Sequence, residues 1–308
     1  MQASFTSGKH GWAAGPAAQP ARADWVINQD WQRYTPQEHA VWATLYERQS
    51  RLLPGRACDE FIQGMQALPI GPDRIPDFEQ LSQVLRSRTG WEVVAVPGLV
   101  PDEVFFDHLA HRRFPAGQFI RRPEELDFLQ EPDVFHDVFG HVPMLMNPVF
   151  ADYMQAYGEG GLRAQRLGVL DKLARVYWYT VEFGLVQQPD GLRIYGAGIV
   201  SSYAETCFSV EDASPNRLRF DLARVMRTRY RIDDFQESYF VLPHLDELLA
   251  LARVDFAPLY ERVAAEPELE PGDVLAQDEV LTRGSGRYHA AKRVGMDEGS
   301  SADHKRGP

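Results

Sequence analysis

Two histidines five residues apart, His136 and His141, stand in the run Glu131-Pro-Asp-Val-Phe-His136-Asp-Val-Phe-Gly-His141-Val-Pro143. Imidazole is a good ligand for iron, zinc, copper and nickel. A metal needs a further ligand, and Glu182, in the aromatic run Tyr177-Trp-Tyr-Thr-Val-Glu-Phe183, is the natural candidate. Burying a carboxylate in such a run is costly unless a cation meets it. On an ideal α-helix, residues i and i+5 point about 140° apart. The two histidines therefore need a helix that loosens or ends near Gly140 and Pro143, with His136 inside it and His141 at its frayed end. The zinc-protease pattern H-E-x-x-H differs, because its histidines are i, i+4 with a glutamate between them, whereas Asp137 follows His136 here. Two His and one carboxylate on one face of an octahedral metal leave three positions open, as in non-haem iron(II) oxygenases. A structural zinc site would be four-coordinate and closed. On spacing alone, a metal site and a hydrogen-bonded core pair stand level. His108 and His111, i, i+3 on an expected helix, read instead as a partly solvated face.

These side chains need a frame. Thr35-Pro36-x-Glu38 is a helix start with a capping box, and Val41, Trp42, Leu45 and Tyr46 follow it at helical period. Further helices are expected over 58–68, 77–88, 102–111, 148–165, 170–183, 201–210 and 245–264. Residues 91–96 and 118–121 read as strands. Pro189-Asp190-Gly191 is a turn between two β-prone runs, 184–187 and 192–195. The pattern predicts an α+β fold, mainly helical, with small sheets at its margin. Residues 1–22 and 284–308 lack periodicity and read as disordered tails. Between them, 23–283 reads as one catalytic domain.

The formal net charge of −12, from 44 acidic and 32 basic residues, argues against nucleic acid or an anionic membrane as partner. The two cysteines, Cys58 and Cys207, are too few for a disulfide framework and suit a reducing cytoplasm. No apolar run approaches the roughly 20 residues of a membrane span, and no secretory signal is visible. The absence of a long heptad helix points to a monomer.

The run Glu131–Pro143, the run Tyr177–Gly184 and a third, Tyr195-Gly-Ala-Gly-Ile-Val-Ser-Ser202, together resemble the pterin-dependent aromatic amino acid hydroxylases, in family order and spacing. The resemblance covers roughly residues 95–245, and the short chain looks like the bacterial members that act on phenylalanine. It implies the hydroxylase catalytic-domain fold and hydroxylation of phenylalanine to tyrosine by O2 with Fe(II) and tetrahydrobiopterin or a related tetrahydropterin. His136, His141 and Glu182 would be the iron ligands. Arg121 would hold the substrate carboxylate, and a solvated surface arginine is the bland alternative. Trp178, Phe183 and Pro132 would wall the aromatic ring. Ser201 would hydrogen-bond near iron and substrate, with Glu205 behind it. Gly98, Val100, Asp102, Phe105 and Asp137 would bind the pterin, Phe105 by stacking and Asp137 through water. Animal members usually carry Glu where Asp137 stands. The resemblance also implies a pterin dehydratase and a reductase as metabolic partners. Tryptophan hydroxylation by the same chemistry, or a zinc hydrolase using the same triad, are the alternatives.

Overall fold

The structure is a computed structural model that describes residues 22–127 and 131–293. Helix α1, Pro36–Leu52, begins as expected: Thr35 Oγ1 accepts from Glu38 N, and the Glu38 carboxylate accepts from Thr35 N. Helices α2 (Asp59–Ala67), α3 (Phe78–Arg88) and α4 (Asp102–Ala110) follow. Strands β1 (Glu92–Val96) and β2 (Arg113–Gly117) pair in parallel across α4. Helices α5 (Pro148–Leu167) and α6 (Leu170–Tyr177) come next. Strands β3 (Leu185–Gln188) and β4 (Gly191–Ile194) form the expected antiparallel hairpin. They extend a five-stranded sheet ordered β4-β3-β6-β5-β7, in which β5 is Asn216–Arg219, β6 Ser238–Leu242 and β7 Val280–Thr282.

The expected strand over 118–121 is displaced. The strand is 113–117, and 118–121 are irregular because they turn onto the segment that leads into His136. There Phe119 O accepts from Val134 N, and Arg121 N donates to the Asp133 carboxylate. Pro115 is tolerated in β2 because that strand has a free edge. The expected helix 170–183 is two: α6 stops at Tyr177 and a π-helix, Trp178–Glu182, continues it. The helix expected over 201–210 is α8, Tyr203–Glu211, capped by Ser202 and preceded by the short α7, Ala197–Val200. The run 245–264 divides into two helices, Glu247–Ala252 and Phe256–Ala264, where Asp255 accepts from Ala257 N and starts the second. Strand β6 gave no period-two signal because all five of its residues are buried.

The expected disordered tail from 284 is corrected over its first ten residues. Residues 287–293 are helical, and His289 is buried at 3% exposure. Three backbone-led bonds pull this segment in: Ser285 N to Ala213 O, Gly286 N to Ser214 O, and Gly284 N to Asn216 Oδ1. Residues 1–21 and 294–308, the rest of the expected tails, lie outside the described residues.

Candidate metal centre and its pocket

A second π-helix, Phe135–His141, carries both histidines. Its i→i+5 bonding brings residues five apart one above the other, which an α-helix does not do. The loosening expected near Gly140 therefore spans the whole histidine segment. Packing holds it in place. Phe135 and Phe139 stack at 4.7 Å on its back face, Trp42 of α1 meets Phe135 edge-on at 5.3 Å, and Phe61 of α2 meets Phe139 at 6.1 Å. Gly140 lets α7 close in: a Cβ there would sit 2.9 Å from Ala197 O. Glu182 ends the other π-helix, closed by Phe183 N to Trp178 O.

The three side chains meet. His136 Nε2 and His141 Nε2 are 3.2 Å apart, His141 Nε2 is 3.2 Å from Glu182 Oε1, and His136 Nε2 is 3.6 Å from Glu182 Oε2. With metal–ligand bonds of about 2.1 Å, neighbouring octahedral places lie about 3.0 Å apart, tetrahedral corners about 3.4 Å and opposite octahedral places about 4.2 Å. All three ligands are thus neighbours, and none faces another across a metal.

The tautomer of His136 supports a cation at their centre. Ser201 Oγ donates to Ala197 O, so it accepts from His136 Nδ1–H at 3.0 Å. The Nε2 lone pair of His136 then points at the Glu182 carboxylate, an arrangement that repels unless a cation lies between. Burial pulls His136 down to about 4, keeping it neutral and able to ligate. Burial alone would raise Glu182, but positive charge beside it, of the kind the imidazolium forms of His141 and His136 supply, outweighs burial and holds the carboxyl below its usual range. Among the described residues, these are the only three His, Cys, Asp or Glu side chains grouped to hold a metal. His108 instead bonds Asp24 O, and His111 bonds Asp107 O.

Arg121 is no solvated surface residue. It is 8% exposed and forms a two-bond fork with fully buried Asp133, Nε to Oδ2 and Nη2 to Oδ1, both at 2.9 Å. Asp133 Oδ1 also accepts from His136 N at 3.0 Å, so one carboxylate ties Arg121 to the metal segment. Burial works to raise Asp133, and Arg121 overrides it, leaving the group ionised below the usual range. Sequence reasoning gave Asp133 no role. Its signal was an acid three residues before the first histidine, a spacing suited to capping a helix start.

Trp178 and Phe183 pack ring to ring at 4.8 Å, half-buried, flanking Glu182 in the chain. Tyr230, also missed, stacks on Trp178 at 4.3 Å and 19°. Pro132 is half-buried beside Asp133. Glu205 does not bond Ser201. Its Oε1 accepts from Tyr239 OH at 2.6 Å and from Gln236 N at 3.3 Å. On the other side of the centre, Asp137 Oδ2 accepts from Gly117 N at the end of β2. Burial pushes Asp137 up to about 7. Val96 pairs with Gly117 in register, so the loop after β1, with Gly98 and Val100, borders this edge. A Cβ on Gly98 would lie 3.2 Å from Glu131 Oε1. Asp102 is exposed at the start of α4. Phe105 meets Tyr177 edge-on at 5.9 Å, and Tyr177 faces His141 at 6.3 Å, which links the α4 aromatic to His141.

A helix-dominated α+β domain that brings two histidines and one glutamate together at one point has the donor set of a mononuclear, facially ligated metal site. The family model described as biopterin-dependent aromatic amino acid hydroxylase matches residues 29–262. This chain belongs to that family. It is 62% identical over 271 residues to a phenylalanine-4-hydroxylase of Caulobacter vibrioides, covering 88% of this chain and 92% of the relative. It is 57% identical to that of Chromobacterium violaceum over 85% of this chain and 88% of the relative. A crystal structure of the Chromobacterium violaceum enzyme with iron and phenylalanine superimposes with a TM-score of 0.81 at 55% identity, over 84% of this chain and 94% of that one. A cobalt-bound form gives 0.82 at 57% identity, over 84% and 93%.

Proposed function

We propose that this chain is a phenylalanine 4-monooxygenase that converts L-phenylalanine to L-tyrosine with O2, a tetrahydropterin and Fe(II). The observation that carries this reading is the convergence of His136, His141 and Glu182 within 3.2–3.6 Å in a chain of this family. Family membership sets aside the zinc-hydrolase alternative. When bound, Fe(II) and the tetrahydropterin supply the electrons that cleave O2.

The protein's own contribution is to bind, orient and exclude water. His136 and His141 present neutral nitrogen lone pairs and Glu182 an anionic oxygen, a donor set suited to ferrous iron. Ser201 keeps His136 in the ligating tautomer. Arg121 has five donors, of which Nε and one Nη2 hydrogen are engaged by Asp133. Its remaining edge suits the carboxylate of an amino acid, and Asp133 fixes the direction of that edge. Trp178 and Phe183, with Pro132, form an apolar wall for the phenyl ring. Gly98, Val100, Asp102, Phe105 and Asp137 form the pterin side, where Phe105 offers an aromatic surface to a flat heterocycle. These groups hold ring, pterin and iron close together and keep the reacting atoms dry.

Turnover leaves a pterin that a dehydratase and a reductase must restore. The chain works as a monomer in the cytoplasm. Both cysteines are free thiols, and no helix of the described residues is long and apolar enough to cross a membrane. The test is direct. Purified protein loaded with Fe(II) is given a tetrahydropterin, O2 and, in parallel, phenylalanine, tryptophan and tyrosine. Tyrosine formed from phenylalanine in step with pterin consumption is the expected result. Verified iron loading without tyrosine would overturn the reading.

A further inference from the structure

The indole of Trp178 is held by a loop that does not touch the metal ligands. Trp178 Nε1 donates to Gln236 Oε1 at 3.0 Å. Gln236 is 1% exposed, and its Nε2 donates to Arg231 O at 2.9 Å. That bond fixes which way the amide faces, because a carbonyl can only accept. The indole N–H therefore meets an acceptor that cannot flip without losing a buried bond.

The two residues before Gln236 are gripped in turn by the segment 284–293. Asp234 Oδ1 accepts from Tyr288 OH and Lys292 Nζ, each at 2.9 Å. His289 Nε2 donates to Phe235 O at 2.8 Å. The Tyr288 ring packs on Phe235 at 5.2 Å and on Phe208 at 5.1 Å, and Phe235 stacks on Phe208 at 4.6 Å. Asp234, Phe235 and Gln236 are consecutive. This tripeptide thus connects the C-terminal segment to Trp178.

We propose that residues 284–293 are a positioning strap: by clamping Asp234 and Phe235 they set Gln236, and through it the indole of Trp178, against which the substrate ring is fitted. This rests on the reading of Trp178 as a wall of the phenylalanine pocket. The strap's hydrogen bonds, ion pairs and ring contacts reach none of His136, His141, Glu182 or the pterin-side residues. Loosening it alters how well the aromatic ring is held and leaves iron and pterin binding as they were. A general scaffold would move all three together.

The test uses the full chain loaded with Fe(II). Tyr288→Ala loosens the strap, Gln236→Leu removes the acceptor, and Trp178→Phe removes the indole N–H. The expected result is a rise of about threefold to tenfold in the phenylalanine KM for Tyr288→Ala and for Gln236→Leu, the scale of one lost hydrogen bond. The pterin KM and iron content stay at wild-type values. In the Trp178→Phe background, neither substitution raises the phenylalanine KM by more than about twofold, because the link they act through is gone. Should Tyr288→Ala fail to fold, Gln236→Leu carries the same comparison. An unchanged phenylalanine KM in both variants, or equal rises in both KM values, would overturn the strap. So would a full effect persisting without the indole N–H. If Trp178→Phe alone leaves the phenylalanine KM unchanged, the wall reading fails and the strap with it. If it raises that KM while the other two do not, only the strap fails.

Discussion

Asp133→Asn isolates the buried acid that joins Arg121 to the metal segment. Each Asp133 oxygen accepts two bonds: Oδ1 from Arg121 Nη2 and His136 N, Oδ2 from Arg121 Nε and Arg121 N. An asparagine keeps one of these oxygens and turns an NH2 toward the other pair of donors. One bond to a guanidinium, worth about 1.5–3 kcal/mol, and one to a backbone N–H, worth about 0.5–1.5 kcal/mol, are lost together. Together they amount to about 2–4.5 kcal/mol. Part of this appears as lost stability and part as a misdirected Arg121. Thermal and urea unfolding of the metal-free protein read the first part, with an expected Tm drop on the order of 5–10 °C. Steady-state kinetics read the second, with an expected rise of about tenfold or more in the phenylalanine KM and a far smaller change in the pterin KM. The Arg121→Ala variant should show the same split. If Asp133→Asn unfolds with wild type and binds phenylalanine normally, the fork does not set Arg121, and this account of the substrate carboxylate site is wrong.

Ser201→Ala leaves His136 Nδ1 without its acceptor and frees the wrong tautomer. Fe(II) or Co(II) affinity should fall about 10- to 100-fold, measured by titration, while the far-ultraviolet circular dichroism stays unchanged. Gly140→Ala drives a methyl to 2.9 Å from Ala197 O, separating α7 from the π-helix. It should cost about 1–3 kcal/mol in unfolding free energy and lower iron content on purification, whereas a fully stable, fully loaded variant would contradict the close approach. Glu205 is buried, and burial pushes its pKa up to about 7 despite the bonds from Tyr239 and Gln236. The folded state then binds the proton more tightly than the unfolded chain. Stability attached to this group is present below about pH 4.5 and is lost as pH rises toward 7, by the order of 3 kcal/mol. Glu205→Gln should flatten that slope in urea melts taken from pH 5 to 8, and an unchanged slope would locate the titration elsewhere.

Much of the frame was legible because it follows local rules. Thr35-Pro36-x-Glu38 starts α1 where capping chemistry requires, and Pro189-Asp190-Gly191 turns the β3–β4 hairpin. The elements that escaped have no local signature. Ser238-Tyr-Phe-Val-Leu242 is buried on both faces and lacks alternation, so its five residues look like any apolar run. Arg113-Phe-Pro-Ala-Gly117 carries a proline that argues against a strand, yet it pairs with β1 because its other edge is free. Residues 284–293 look like a polar tail by composition. Their order comes from contacts to Ala213, Ser214, Asp234 and Phe235, 50 to 75 positions away in the chain, which no window along the sequence can register.

The site itself was legible through a misfit. Histidines at i, i+5 cannot share a face of an α-helix, so either the pair is unrelated or the backbone departs from α geometry. The structure takes the second course twice, with π-helices at Phe135–His141 and at Trp178–Glu182. A π-turn is less stable than an α-turn and persists where something else rewards it. Here Phe135, Phe139, Trp42 and Phe61 lock the first by packing, while Gly140 and Gly196 admit the neighbouring backbone; a Cβ on Gly196 would lie 2.5 Å from Glu182 O. Both segments are therefore held in a wide-turn conformation, the first by its hydrophobic back, with their polar fronts facing each other. Restoring α geometry to the first segment, by deleting Val138 so that the histidines stand i, i+4, should keep both imidazoles and the fold's helices yet abolish Fe(II) binding. The pair would then share a face set by a different turn, no longer aimed at Glu182. A deletion variant that still bound one equivalent of Fe(II) with wild-type affinity would mean that the π-turn is incidental to the site.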